Sequence, residues 1–175
     1  MLRAGDEQRT VAITMRTPGD DYELAAGFLY NEGVIRAHAD LAQMTYCVDG
    51  HQQEYNSLRV QLRAAAFPDL PTLERHFFTS SACGVCGATM LDDLTERHLP
   101  PIPPGPVVPA ALLAGLPDTL RRSQDVFEST GGLHAAALFS TQGELRVGRE
   151  EGGRHNALDK VIGWGLLNGR RPYHD

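Results

Sequence analysis

Two cysteines three residues apart are the residues of this 175-residue chain whose type and spacing most directly allow chemistry. Cys83 and Cys86 lie in the segment SSACGVCG, in which one glycine precedes the second thiol and another follows it. Glycine lets the backbone adopt positive φ and approach a ligand closely. Thiols at this spacing can share a metal, form a disulfide, or place one reactive thiolate beside a second sulfur.

A helix predicted to begin at or just after Cys86 would direct its free N–H groups and positive dipole end at the sulfur atoms. That environment favours a nucleophilic thiolate. Structural zinc is the main alternative, because a CxxC is also half of a zinc site. Zinc usually needs two such pairs, whereas this chain offers one pair, the separate Cys47 and scattered histidines. Zinc, and two small buried side chains without chemistry, stay open as alternatives at this point.

A second constellation follows the glycine pair Gly152-Gly153. The helix predicted after it opens with Arg154, His155 and Asn156, so free N–H groups and an arginine fork could bind an anion. Spacing of four residues places His155 with Asp159, and Asn156 with Lys160, on shared helix faces. Asp159 could then orient His155. An ordinary amphipathic helix with a solvated polar face explains the same pattern.

Two further segments are less specific. Gly131 and Gly132 precede His134 at the start of an apolar strand, where they could line a pocket, although a histidine there is more often only hydrogen-bonded structure. The segment RTPGDDYEL (16–24) is, from its residues alone, a strand–turn–helix joint.

The elements that must position these residues alternate between strands and helices, which indicates a mixed α/β fold. Alternating or apolar β-type patterns predict strands at Thr10–Arg16, Gln43–Val48, Asn56–Arg63, Leu133–Ser140 and Glu144–Gly148, the last two joined by a turn at Gln142-Gly143. Helices are predicted at Tyr22–Asn31 (capped by Asp20 or Asp21 and ended by Gly33), Thr89–His98, Ala110–Leu116, Arg121–Phe127 and Asn156–Leu167, with a proline-rich linker at Leu99–Pro109. The last helix would bury Leu158, Val161, Ile162 and Leu166 on one face.

Composition narrows the class of protein. The formal net charge of −6 argues against general nucleic-acid binding. No run approaches the roughly 18 apolar residues of a membrane span. Three cysteines do not resemble a secreted disulfide framework, so we expect a soluble protein in a reducing, cytoplasmic compartment. Because no strand or helix closes the last eight residues, we expect that a C-terminal part is missing.

Four segments, in this order, resemble the formate dehydrogenase accessory sulfurtransferase family, FdhD. They are RTPGDDYELAAGFLYNEGVI, SSACGVCG, TGGLHAAALF and GRHNALDKVIG, and they extend from Arg16 to Gly163. One CxxC is weak evidence, whereas four long strings in family order are specific.

The resemblance implies a sulfurtransferase with a cysteine persulfide intermediate. Family members take sulfur from a cysteine desulfurase and pass it to the molybdenum or tungsten bis-pyranopterin guanine dinucleotide cofactor needed by formate dehydrogenase. The family's catalytic pair falls on Cys83 and Cys86. The fold implied is a cytidine-deaminase-like core at 76–175 plus a smaller N-terminal α+β region at 1–75, in a cytoplasmic homodimer with no permanently bound metal.

The acceptor cofactor carries phosphates and guanine, so we predict a binding site for it from the other polar segments. The predicted cofactor-binding residues are Gly131, Gly132, His134, Arg154, His155, Asn156 and Lys160. A chaperone that holds the cofactor without chemistry, and a structural zinc protein, are the alternative functions.

Departures from the family pattern bear on these expectations. Ala88 stands where the family often has lysine, and Glu151-Gly152 replaces the family's Asp-Val, which is expected to loosen that loop. We do not expect this chain to catalyse a deaminase reaction. Zinc deaminases use a His-x-Glu motif, which is absent from this sequence, and a proline at the position where Ala82 stands. Family members usually continue well past Lys160, and we expect the lack of those segments here to bear on cofactor binding more than on sulfur acceptance.

Overall fold

A computed structural model describes residues 1–47, 55–68 and 104–170. Ten helices and strands, and one 3-10 turn at His38–Asp40, are formed there. The strands are β1 (Leu2–Ala4), β2 (Glu7–Arg9), β3 (Leu41–Tyr46), β4 (Leu58–Leu62), β5 (His134–Phe139) and β6 (Leu145–Glu151). The helices are α1 (Asp21–Asn31), α2 (Ala110–Arg121), α3 (Asp125–Thr130) and α4 (Arg154–Leu167). This is the mixed α/β architecture that the sequence predicts.

The N-terminal strands form a mixed sheet in the order β2-β1-β4-β3. Strands β1 and β2 pair antiparallel, β1 and β4 pair parallel, and β3 and β4 pair antiparallel. Val60 and Leu62 of β4 are buried with Leu2 and Ala4 of β1. The alternation of apolar and polar residues along β4 therefore has the predicted result, since one side of the strand faces the core.

Strands β5 and β6 form a separate antiparallel hairpin. Gly143 sits in the connection with φ of 84°, a left-handed conformation that glycine adopts without steric cost. The register pairs His134, the first residue of β5, with Glu151, the last residue of β6. The open end of this hairpin therefore lies next to the start of α4.

Helices α1 and α4 pack on each other more extensively than any other pair of elements that the structure describes. Gly27 and Gly163 are the points of closest approach: a Cβ on Gly27 would lie 1.8 Å from the Asp159 carbonyl oxygen, and one on Gly163 would lie 1.8 Å from the Glu23 carbonyl oxygen. Asn31 also bonds to Asp159, so the helices run in opposite directions where they meet. Each glycine is required because backbone fills the space that a side chain would occupy.

The apolar core joins α1 and the end of α4 to the N-terminal sheet. Its buried members are Leu2, Ala4, Ala26, Leu29, Val34, Ile35, Leu41, Val60, Leu62 and Leu166. Because α1 contacts both the sheet and α4, the predicted parts 1–75 and 76–175 share an interface.

The predicted strand at Thr10–Arg16 is wrong. No strand is assigned there, and the first strands lie earlier, at Leu2–Ala4 and Glu7–Arg9. The alternating pattern suits a strand, but a strand also needs a neighbouring strand whose backbone can hydrogen-bond to its own. The backbones of Met15 and Thr17 instead bond to side chains of β6 and α4.

One detail predicted for each of the four helices also needs correction. Helix α2 continues through Pro117 to Arg121, and α3 begins later than predicted, at Asp125. Asp20 does occupy the N-cap of α1, but its side chain makes no cap bond and lies 3.3 Å from Arg149. In α4, Leu158 is half exposed, whereas Lys160 is buried. Apolar spacing could not predict this orientation, because it counts lysine as a surface residue.

The predicted helix at Thr89–His98 lies outside the described residues, as does the linker up to residue 103. Strand β5 is only partly buried, although its composition predicts a buried strand. Among the helices that the structure describes, none is long and apolar enough to span a membrane.

Candidate functional site

The structure brings two of the predicted site segments together at the open end of the β5–β6 hairpin. His134 begins β5 opposite Glu151, and α4 begins three residues after Glu151 at Arg154. Gly131 ends α3 with φ of 69° and leads into this strand. The predicted residues Gly131, Gly132 and His134 therefore lie near the start of α4 because of strand register.

Glu150 holds the first of these segments in place. Its carboxylate accepts hydrogen bonds from the backbone N–H groups of Val126 and Phe127, at 2.9 and 2.7 Å. These groups lie in the first turn of α3, where the helix has no partner of its own for them. A strand residue thereby fixes the short helix that leads to Gly131.

The start of α4 presents exposed polar groups. Gly153 is the buried N-cap residue, with φ of −116° and no side chain to cap the helix. Arg154 and His155 in the first turn are exposed. First-turn N–H groups carry the positive end of the helix dipole, so this end, together with the Arg154 guanidinium, suits an anion.

A segment of four residues, Thr14 to Thr17, crosses the start of α4, and we call it the strap. Asn156 donates hydrogen bonds from Nδ2 to the Met15 carbonyl oxygen at 2.9 Å and to Thr14 Oγ1 at 3.3 Å. The predicted site residue Asn156 is therefore engaged with the strap, and its structural role is to hold this segment.

Thr17, the last residue of the strap, is bound at all three of its polar groups. Its N–H donates to Glu151 Oε2 at 2.7 Å, and its carbonyl oxygen accepts from Lys160 Nζ at 3.1 Å. Its Oγ1 accepts from the Gly152 N–H at 3.1 Å. Residues from β6, from α4 and from the loop between them thus converge on one residue that is more than 130 positions earlier in the chain.

Lys160 and Glu151 form a buried ion pair. Lys160 Nζ lies 2.9 Å from Glu151 Oε1, and the two residues are 1% and 0% exposed. This burial bears on two expectations. The ammonium group of Lys160 is occupied by Glu151 and the Thr17 carbonyl oxygen, so the structure shows it holding the strap, and its predicted part in cofactor binding stays a prediction. Glu151 does not loosen its loop but ends a strand and anchors the strap.

Asp159 contacts the end of α1. Its Oδ1 accepts a hydrogen bond of 2.6 Å from Asn31, and among the described residues it pairs there and not with His155. Burial raises the pKa of Asp159 to about 6, and the nearby charge of Glu32 adds to the rise, while the bond from Asn31 opposes it. Asp159 therefore serves the contact between α1 and α4.

Arg16 of the strap and its partners form a second charged cluster, which the sequence pattern did not predict. Arg16 pairs with the buried Asp21 at 3.0 Å and donates to the Tyr55 carbonyl oxygen at 2.8 Å. The Tyr46 hydroxyl donates to Asp21 at 2.8 Å, and burial together with this bond raises the pKa of Tyr46 to about 12. The RTPGDDYEL segment is thus more than a joint, because its charges fix the strap at its junction with α1.

Arg149 of β6 links the β5–β6 hairpin to α1. Its guanidinium donates two hydrogen bonds to the Glu23 carboxylate, at 2.6 and 2.8 Å, and these bonds raise the pKa of Arg149 further. The sequence contains only local signs of this ion pair: acidic residues in the first turn of a predicted helix, and alternating charges at the end of a predicted strand. Neither pattern identifies a partner 126 positions away.

A cleft of about 260 Å³ lies elsewhere, between the turn of the hairpin and the later half of α4. Its lining includes Phe139, Arg146, Trp164 and Arg170. Phe139 and Arg146 lie at the opposite end of the hairpin from His134, and Trp164 and Arg170 lie toward the end of α4 and beyond it, so the cleft is separate from the start of α4.

The predicted catalytic residues Cys83 and Cys86 lie outside the described residues. Cys47 is buried and free. In the described parts of the chain, no group of three or more His, Cys, Asp or Glu side chains could hold a metal ion. The predicted roles of the site residues in catalysis and cofactor binding stay predictions.

The arrangement of elements and the sequence together define the class of protein. The FdhD/NarQ family model matches residues 6–174, and the chain belongs to this family. This confirms the resemblance inferred from the four segments.

Particular relatives carry a more specific name. The chain is 51% identical over 172 residues to "Sulfur carrier protein FdhD" of Streptomyces coelicolor, covering 94% of this chain and 60% of the relative. It is 45% identical over 170 residues to the protein of the same name from Mycobacterium tuberculosis, covering 93% and 61%. The chain therefore spans about three fifths of the length of these relatives.

A solved structure has a similar fold. The crystal structure of a candidate formate dehydrogenase accessory protein from Desulfotalea psychrophila matches with a TM-score of 0.62 at 23% identity. The match covers 94% of this chain and 60% of the other chain. At this level of identity the likeness supports the fold alone.

Proposed function

We propose that this protein is a sulfur carrier that accepts sulfur as a cysteine persulfide and delivers it to a molybdenum or tungsten bis-pyranopterin guanine dinucleotide cofactor used by formate dehydrogenase. The observation that carries the proposal is family membership, with relatives near 50% identity named sulfur carrier proteins. The CxxC of Cys83 and Cys86 supplies the chemistry that the name requires.

The proposed transfer is a thiol exchange at sulfane sulfur. A thiolate at Cys83 or Cys86 attacks the terminal sulfur of a persulfide on a cysteine desulfurase. The donor S–S bond breaks, the donor cysteine leaves as a thiolate, and a new S–S bond forms on the carrier. The neighbouring cysteine can later attack the inner sulfur, which forms a disulfide between Cys83 and Cys86 and releases the outer sulfur to the acceptor as hydrosulfide; a thiol reductant then restores both thiols.

The start of α4 is the proposed site for the anionic part of the acceptor. Arg154 and His155 would contact phosphate or guanine groups, and Gly131, Gly132 and His134 would form the adjoining wall. The register of β5 and β6 supports this grouping, since it places the two segments side by side. Asn156 and Lys160 would act through the strap that they hold.

The remaining expectations belong to the same proposal. They are a cysteine desulfurase as donor, association with formate dehydrogenase, a cytoplasmic homodimer, and a division into an N-terminal region at 1–75 and a deaminase-like core at 76–175. The acceptor cofactor is cargo, and no resident metal is required by this chemistry.

Intact mass spectrometry tests sulfur acceptance. After incubation with a cysteine desulfurase and cysteine, we expect the protein to gain the mass of one or more sulfur atoms. The Cys83→Ala/Cys86→Ala variant should gain none, whereas Cys47→Ala, which removes a buried thiol, should load like the parent. Equal loading of the double variant would refute the proposal.

A carrier that only holds the cofactor is the second candidate, and the exposed Arg154 and His155 at a helix start favour it. It predicts that guanosine diphosphate binding survives loss of both thiols and falls in Arg154→Ala. A structural zinc protein predicts instead near-stoichiometric zinc after anaerobic purification, lost in the Cys83→Ala/Cys86→Ala variant.

A further inference from the structure

The hydrogen bonds to Thr17 suggest a function for Glu151 and Lys160, two residues that are too buried to contact a ligand. Glu151 and Lys160 are buried, yet between them they bind both backbone polar groups of Thr17. The loop residue Gly152, next to Glu151, binds the Thr17 hydroxyl. We propose that Glu151 and Lys160 are a positioning pair that locks the strap against the start of α4 and so sets the geometry of the anion site. This inference rests on the proposed function.

A buried ion pair is a poor means of gaining stability alone. Removing two charges from water costs about as much as their attraction returns, and apolar residues of similar size often stabilise a fold as well or better. What the pair adds is direction, because a carboxylate accepts from a chosen N–H and an ammonium donates to a chosen carbonyl. The benefit is therefore expected in the placement of what the pair binds.

The strap needs such side-chain partners because no strand pairs with it through the backbone in the described parts of the chain. A backbone polar group that is shielded from water and unpaired carries a desolvation penalty, and Glu151 and Lys160 pair these groups for the half-buried Thr17. Without them the last residue of the strap would keep only the hydroxyl contact to Gly152.

The placement of the strap affects the proposed site through two residues. Asn156, in the first turn of α4, is held by Met15 and Thr14. Gly152 lies directly before the N-cap residue Gly153 and is held by Thr17 Oγ1. Release of the strap would therefore free the loop that precedes α4 and the side chain beside Arg154 and His155.

Four variants separate positioning from simple stabilisation. Lys160→Met leaves the Glu151 carboxylate buried without its counter-ion, so it should lower the unfolding temperature. Glu151→Gln/Lys160→Met removes both charges and should recover most of that loss, but it has no donor for the Thr17 carbonyl. Leu166→Ala is the control, since it destabilises the far half of α4 without touching the strap. Thr17→Val removes only the hydroxyl contact in a side chain of the same shape.

The measurements are hydrogen exchange at the Thr17 amide and the Kd for guanosine diphosphate by calorimetry, well below each unfolding transition. In the double variant we expect faster exchange at Thr17 and a Kd raised by about tenfold or more, the scale on which small misplacements act. Thr17→Val should raise the Kd in the same direction, and Leu166→Ala should bind like the parent.

Recovery of parent-like binding together with stability in the double variant would overturn the positioning role, as would parent-like binding in Lys160→Met, which also lacks the donor for the Thr17 carbonyl oxygen, if the double variant fails to fold. If the parent itself binds no guanosine diphosphate, the binding part of the proposed function fails and this inference fails with it. The first result leaves the proposed function intact, so the two failures are distinguishable.

Discussion

The two ends of helix α4 are held in different ways. At its start, polar and charged side chains bind the backbone of a distant segment, with Lys160 and Glu151 buried at the centre. Toward its end, backbone meets backbone at Gly163, and Leu166 joins the apolar core. The contrast separates two tasks: close packing joins α4 to α1 and the core, whereas directional bonds fix the position of the groups proposed to bind a ligand.

The largest effect is expected at the close contact between α1 and α4. Gly163→Ala would place a Cβ 1.8 Å from the Glu23 carbonyl oxygen, and backbone on both helices would have to move. We expect a loss of about 4 kcal/mol or more in unfolding free energy, or failure to fold. Urea denaturation measures this loss. Gly115→Ala, which faces open space in α2, should be neutral or slightly stabilising; equal losses in the two variants would contradict the packing.

The buried charges at the other end should give the next largest effect. Lys160→Met is expected to cost about 3–5 kcal/mol, because it leaves an uncompensated carboxylate in the interior. The Glu151→Gln/Lys160→Met variant should be markedly more stable than Lys160→Met in the same denaturation experiment. If the double variant is the less stable of the two, the ion pair is not the cause of the loss.

Substitution of Asp159 is expected to have a smaller effect on stability, and the size of this effect depends on pH. Burial raises the pKa of Asp159 to about 6 from its ordinary value of 3.8, so the folded protein resists ionisation of this group. Its contribution to stability is therefore greatest at low pH and falls as pH rises from 3.8 toward 6. Because asparagine does not ionise, Asp159→Asn avoids the loss of stability that ionisation of Asp159 causes. It should stabilise the protein by about 1–3 kcal/mol at pH 8 but little at pH 4.

Thermal unfolding from pH 4 to 8 compares the Asp159→Asn variant with the parent. A difference that does not change with pH would show that Asp159 does not titrate as described. Because Asn31 donates to Oδ1, an asparagine at 159 can keep this bond through its own side-chain oxygen.

The smallest effect concerns the hydroxyl of Tyr46. Tyr46→Phe removes one hydrogen bond to the buried Asp21 and should cost about 1 kcal/mol. Tyr22→Phe is the matched control, because the centroids of the Tyr22 and Tyr46 rings are 5.3 Å apart, and it should change stability less. Spectrophotometric titration gives a second test, since the phenol of Tyr46 should ionise near pH 12, above an ordinary tyrosine.

The same comparison explains what could be predicted from the sequence. Helix α1 and strand β4 follow from local patterns: a turn, an apolar stripe and a glycine stop in the first, alternation in the second. The family also follows from local strings of residues. These features need only a short window, in which propensity and periodicity decide the structure.

The contacts of Glu151, Gly152 and Lys160 with Thr17 could not be predicted in this way. It joins residues more than 130 positions apart, and each looks ordinary in its own segment: Glu151 like part of a loop, Lys160 like a solvated helix residue. The pattern at Thr10–Arg16 predicts a strand because it cannot tell whether a neighbouring strand exists. Buried polar partnerships depend on tertiary placement, which spacing alone does not determine.

Titration of isotope-labelled protein with guanosine diphosphate, followed by amide NMR shifts, tests most directly whether the start of α4 is a ligand site. We expect the largest shifts at Gly131, Gly132 and Gly152–His155, with a smaller change at Thr17. Shifts centred instead on Trp164 and Arg146, at the cleft by the other end of the hairpin, or no shifts at saturating nucleotide, would contradict it.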